Sequence, residues 1–141
     1  MAIIIKSSEE IAIMRRAGRV LAAVIEALVE KIRPGMKTQE LDIIAAQEMA
    51  KSGAKPSFKG YRGYPANLCV SINEEVVHGI PGERVVCEGD IVSLDVGVVL
   101  DGFQSDSAVT VGVGKITPQA KRLLEDTKGA LRVGIATARH G

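Results

Sequence analysis

Two aspartates stand eleven positions apart in the segment SLDVGVVLDGFQSDSA, residues 93–108. Asp95 interrupts an otherwise apolar run, and Asp106 follows the dipeptide Asp101–Gly102. Asp-Gly between two alternating segments is a strong hairpin signal. A two-residue turn there sets Leu100 opposite Phe103, Val99 opposite Gln104, Val98 opposite Ser105 and Gly97 opposite Asp106. Side chains alternate along a strand, so Asp95 shares the face of Gly97. Both carboxylates then project from one face as diagonal neighbours, roughly 7 to 8 Å apart at the backbone. A three-residue loop would reverse the parity and separate them.

Carboxylates this close in a half-buried sheet repel each other and lose hydration, so either one takes up a proton or a cation satisfies both. Paired oxygen donors suit a divalent ion, and an aspartate can bridge two of them. The plainer alternative is that both are solvated on the open face of an antiparallel sheet. The run IVSLDVGVV argues for burial of Asp95, and Gly97 opposite Asp106 is expected to leave the space that a ligand cluster needs. Two carboxylates are still a poor cage: zinc, manganese and iron sites take about four to six ligands, usually with imidazole. The chain has two histidines, His78 and His140. His140, the penultimate residue, is expected to be solvated at a frayed end. His78, in VVHGIP, is the better candidate, at a predicted strand end where site residues collect; the alternative is a turn residue bonded to backbone.

The elements that must carry these residues are legible as changes of period. Residues 7 to 33 read as a helix, with capping-box spacing at Ser7 and Glu10 and an inner face of Ile11, Met14, Leu21, Ile25 and Leu28. Arg33-Pro34-Gly35 stops it. A second helix opens at Thr38, turns Leu41, Ile44, Ala45 and Met49 inward, and ends at Gly53. The segment GAKPSFKGYRGYP, residues 53–65, is a loop with both tyrosines of the chain and one of its two phenylalanines. From Asn67 the period is two: NLCVSIN and then EEVVHGIP read as strands, followed by the hairpin. Thr117 caps a third helix with Pro118 in its first position, its inner face being Leu123, Leu124, Thr127, Leu131 and Ile135.

The chain has 141 residues, the size of one domain with one core. With 46% apolar residues, 25% charged residues and a formal charge of +1, it favours neither nucleic acid nor an anionic membrane as partner. Cys69 and Cys87, without a second pair, fit neither a zinc ribbon nor a disulfide scaffold and suggest a reducing compartment. The start MAIIIKSSEE turns charged too soon for a signal peptide, and no apolar run approaches the ~20 residues of a membrane span. A cytoplasmic location is expected. Residues 17–35 also align weakly with residues 123–141, Arg33 falling on Arg139 and Gly35 on Gly141. The match suggests a unit of two helices and a hairpin that begins a second time.

GYPANLCVSINEEVVHGIP followed by EGDIVSLDVGVVLDGFQSDSAVTVGVG resembles the N-terminal half of the type I methionine aminopeptidases, over essentially all of residues 2–139. The eleven-residue step between the aspartates, HGIP and GDIVSLD together carry the resemblance. It implies an α+β chain forming half of a pita-bread fold, in which two pseudo-symmetric halves enclose a site for two divalent ions (cobalt, manganese, iron or zinc) that removes the initiator methionine. Residues 1–115 would be the first repeat and 116–141 the first helix of the second, together a single truncated catalytic domain. By the same resemblance Asp95 would be a terminal metal ligand, Asp106 a bridging one, and His78 the catalytic histidine that contacts the substrate. Phe58, Tyr61, Tyr64 and Cys69 would line the pocket for the methionine side chain, although aromatic residues in such a loop also pack simply on the core. The family completes its site with a histidine, two glutamates and a second substrate-side histidine from the C-terminal half, beyond the last residue here. The expected function is therefore half of a methionine-removing site, acting on the N-terminal methionine of peptides or nascent proteins once the missing C-terminal half is supplied. The rival is a self-associating half domain that binds metal weakly and is inactive. Gln104 and Ser105 also stand where the family often has His-Gly.

Overall fold

The computed structural model describes residues 3–140. Gly141, and with it the equivalence of Gly35 and Gly141, lies outside them. Helix α1, Ser8–Lys31, starts as the capping box requires: Ser7 Oγ accepts from the Glu10 amide and the Glu10 carboxylate accepts from the Ser7 amide. It stops at Ile32, just before Pro34, whose ring cannot continue a helix. Helix α2, Thr38–Lys51, ends before Gly53, which takes φ 68° and donates to the Ala50 carbonyl. Strand β1, Lys55–Pro56, is short and precedes a single 3-10 turn at Tyr61–Gly63. Strands β2 (Leu68–Ile72), β3 (Ile91–Leu100) and β4 (Phe103–Gly112) follow, and helix α3, Pro118–Thr137, closes the order. Thr117 Oγ1 caps α3 by accepting from the Ala120 amide.

All pairings are antiparallel. β3 is the centre of the sheet, with β4 along one edge and β2 and β1 end to end along the other. The predicted hairpin register holds at every position, from Leu100 opposite Phe103 to Gly97 opposite Asp106. Asp101 and Gly102 take φ 48° and 82°, the two left-handed positions of a type I′ turn. Val92, Leu94, Val96 and Val98 of β3 are fully buried in one core with Leu21, Val24 and Leu28 of α1 and Leu41, Ala45 and Met49 of α2. The two helices thus cover one face of the sheet, and the odd-numbered residues of β3 are left for the other.

Three expectations need correction. EEVVHGIP forms no strand; it is an irregular loop with His78, like Asn73 just before the segment, in the left-handed region and Val76 and Val77 exposed. Both edges of β3 are already taken, by β4 on one side and by β2 and β1 on the other, and the loop meets β2 only at its two ends: Glu75 is bonded to Ile72 through its amide and its carboxylate, and the Val70 amide donates to the Gly79 carbonyl (2.9 Å). Burial on α1 begins at Ala17, while Ile11 (47% exposed) and Met14 lie outside it. On α3 no residue is buried, and the proposed inner positions Leu123, Leu131 and Ile135 are exposed.

Candidate metal and substrate site

The ladder sorts the second face of the sheet into rows. Cys69, Asp95 and Ala108 lie opposite one another across β2, β3 and β4, and Ser71, Ser93 and Thr110 form the next row. Ser93 and Thr110 share a hydroxyl hydrogen bond of 2.8 Å. One row the other way, Gly97 pairs with Asp106, so the two carboxylates are diagonal neighbours on one face. They differ in setting. Asp95 is half-buried, whereas Asp106 is exposed on the outer strand, contrary to the expectation that both carboxylates lose hydration. Burial pushes the Asp95 carboxyl above its usual value, the Asp106 charge adds to this, and His78 opposes both.

Gly97 serves a different purpose from the one expected. A β-carbon there would lie 2.0 Å from Ser57 Oγ and 2.7 Å from the Phe58 ring, so the space beside Asp106 is occupied by the aromatic loop and not left for ligands. The Ser57 amide donates to the Gly97 carbonyl (3.0 Å), extending the short β1 pairing. The Phe58 ring meets Tyr64 edge to face, centroids 6.4 Å apart at 89°. Tyr64 in turn reaches β2, its hydroxyl 3.0 Å from the Leu68 carbonyl and 3.1 Å from that of Gly79. Burial raises the Tyr64 phenol far above its usual value, with Cys69, Asp42 and Asp95 adding, so it remains a donor. Burial likewise raises the thiol of Cys69, opposed by Tyr64 and reinforced by Asp95 and Asp106. Four of the predicted residues, Phe58, Tyr64, Cys69 and Asp95, therefore form a continuous set with Asp106 at its edge. Tyr61 is the outlier: it is 65% exposed, with the Arg62 guanidinium 5.4 Å over its ring.

His78 is exposed with φ 60°. Its neighbour Gly79 presses on β2: a β-carbon there would lie 2.1 Å from the Val70 carbonyl oxygen, and its amide donates to Ser71 Oγ (3.1 Å). The loop then returns to α2, where Thr38 and Gln39 at the helix start donate to the carbonyls of Arg84 and Gly82. Asp42, which sequence reasoning passed over, fixes the entry to β2. Its carboxylate accepts from the Asn67 amide (2.6 Å), the Asn67 side-chain nitrogen (2.7 Å) and the Leu68 amide (3.4 Å). The one available signal was an aspartate, a poor helix former, inside a helix.

Among the described residues, no group of three or more His, Cys, Asp or Glu is placed to hold a metal ion. Asp95 and Asp106 nevertheless fit part of a divalent site. They are hard oxygen donors on one face, and the charge on Asp95 is disfavoured by burial and by its neighbour, a cost that a cation relieves.

The chain matches metallopeptidase family M24 over residues 12–141 and belongs to it. Within that family it is similar to methionine aminopeptidases. Methionine aminopeptidase 1 of Bacillus subtilis is 50% identical over 139 residues, spanning 99% of this chain and 56% of that protein. The methionine aminopeptidase of Clostridium perfringens is 49% identical over 136 residues, 96% of this chain and 55% of that one. The crystal structure of methionine aminopeptidase from Thermotoga maritima superposes with a TM-score of 0.96 at 40% identity, covering 99% of this chain and 57% of that one. A prolidase from Pyrococcus furiosus is more distant, with a TM-score of 0.76 at 25% identity over 86% of this chain and 35% of that one. The chain spans about half the length of the curated relatives it matches. Its architecture is accordingly the expected α+β half of a pita-bread fold. No described helix is long and apolar enough to cross a membrane.

Proposed function

We propose that this chain supplies the N-terminal half of a methionine aminopeptidase site, acting in the cytoplasm on the N-terminal methionine of peptides and nascent proteins. Residues 1–115 are the first repeat and 116–141 open the second. The single observation that carries the reading is the register, Asp95 opposite Cys69 and Ala108 with Asp106 opposite Gly97, because it gathers two carboxylates beside an aromatic loop. Asp95 and Asp106 would hold divalent ions of the cobalt, manganese, iron or zinc kind. When bound, such ions supply Lewis acidity toward the scissile carbonyl and make water nucleophilic near neutral pH. The protein's own part is to bind and orient. Phe58, Tyr64 and Cys69, with Tyr61 at the rim, offer polarizable walls to a thioether, whose full burial is worth about 1.5 to 3 kcal/mol. His78, near enough for its charge to act on Asp95, offers an imidazole to hold the peptide.

The remaining histidine, glutamates and second substrate-side histidine must come from a C-terminal half. Calorimetric titration with manganese, and cleavage of Met-Ala-Ser with manganese or cobalt added, test both parts. Weak binding by the wild type, lost in Asp95→Ala and Asp106→Ala, and no turnover by the 141-residue chain alone are expected. Unchanged binding in Asp95→Ala would remove the site, and turnover by the chain alone would refute its incompleteness.

A second reading is favoured by the apolar residues that α3 leaves exposed, Leu123, Leu131, Val133 and Ile135. In it, the half domain pairs with itself, binds metal weakly and is inactive. Its signature is an apparent mass that rises with concentration.

A further inference from the structure

The residues around His78 pose a problem of backbone order. His78 occupies the left-handed region, which residues with a β-carbon avoid, and such conformations persist only where the surroundings over-determine them. His78 itself is exposed, so packing of its side chain cannot do this. On its N-terminal side Glu75, three positions away, is bonded to Ile72; next to His78 itself the constraint falls on Gly79. Its amide donates to Ser71 Oγ (3.1 Å), its carbonyl accepts from the Val70 amide (2.9 Å), and the same carbonyl lies 3.1 Å from Tyr64 Oη. The first two contacts come from β2 alone. The third comes from the aromatic loop, where Tyr64 is itself held by the Phe58 ring and by its carbonyl accepting from the Gly60 amide (2.8 Å). A phenol has one proton to give, and the carbonyls of Leu68 and Gly79 are both within its reach.

We propose that Tyr64 is a positioning residue for His78: its hydroxyl ties the aromatic loop to the Gly79 carbonyl and thereby fixes the backbone that presents the imidazole. As a pocket wall alone, Tyr64 would need only its ring, and phenylalanine would serve equally. As a tie, it needs the hydroxyl, which points at main-chain carbonyls and not into open space. The functional meaning of the tie rests on the reading of His78 as a substrate contact, but the tie is testable without turnover. An inactive chain therefore leaves it untouched.

The chain has two histidines and two tyrosines, which makes it a simple subject for nuclear magnetic resonance. In the wild type labelled with ¹⁵N-histidine, Tyr64→Phe should move or broaden the His78 imidazole signal and leave that of His140 in place. Amide exchange at Val70 and Gly79 should accelerate about three- to tenfold, the effect of losing one such bond, with little change elsewhere in the sheet. Val24→Ala, which weakens the core away from this loop, controls for general destabilisation and should leave the His78 signal in place. An unmoved His78 signal in Tyr64→Phe overturns the proposal, and so does acceleration spread evenly through the sheet as in Val24→Ala. A measurement on the wild type covers the case of a variant that does not fold: one slowly exchanging tyrosine hydroxyl proton is expected, from Tyr64, and its absence equally overturns the tie.

Discussion

Gly97 couples the two halves of the candidate site through what it lacks. With Ser57 and Phe58 seated where a β-carbon would be, Gly97→Ala must push the aromatic loop off the hairpin. Overpacking of this kind costs about 1 to 3 kcal/mol, to be read as a lower urea midpoint with an unchanged slope. Asp95 shows the opposite trade. Its carboxyl is raised above the usual value, by burial first and by Asp106 second, so its ionised form is the one the fold disfavours. A raised acid leaves stability intact below the unfolded pKa of about 3.9 and withdraws it as pH climbs through the folded value. In the presence of a chelator, Asp95→Asn should therefore melt higher than wild type at about pH 7, with the gap closing toward about pH 3. Adding manganese should reverse the order, because only the wild type gains from binding. A variant that melts no higher in chelator at neutral pH would show that Asp95 carries no such cost.

Among the elements, the join between α2 and β2 decides where the pocket residues sit. Asp42 on α2 is the acceptor for Asn67, which is buried, and for the first amide of β2. Asp42→Ala leaves those donors without their partner and should cost about 1 to 3 kcal/mol, with exchange accelerating first at Asn67 and Leu68. This join shows why the sequence was readable in some places and opaque in others. Local chemistry sets the hairpin: the Asp-Gly turn alone fixed the parity of Asp95 and Asp106, and capping residues marked the starts of α1 and α3. The loop around His78 reads as a strand by its valines, because nothing nearby in sequence announces that β3 has no free edge left for it. Asp42 and the Tyr64 hydroxyl act across 25 and 15 positions respectively, and no pattern of residue types encodes such a partner. The space over Gly97 was misjudged for the same reason, since its occupants come from a loop 40 residues away.

For the whole molecule, the unequal treatment of its helices is the main fact. α1 and α2 bury one face of the sheet, while α3 buries nothing and borders a groove of about 810 Å³ between Leu123, Leu124, Leu131 and the β4 residues Val109 and Val111. A 20-residue helix with so little tertiary support is marginal by its own propensity, and Gly129 and Gly134 lower it further. Its amides should therefore exchange much faster than those of β3, whose two edges are both paired and whose core face is fully buried. Its apolar residues should also drive association. Leu131→Glu places a charge in that exposed row without touching the core, so the stability of the monomer should shift by no more than about 0.5 kcal/mol. Sedimentation velocity over rising concentration then separates the two readings of this chain. Self-association that Leu131→Glu abolishes supports a half domain that pairs with itself through α3. A wild type that stays monomeric at every concentration, with α3 amides exchanging freely, leaves the face to a different occupant and removes the self-associating alternative.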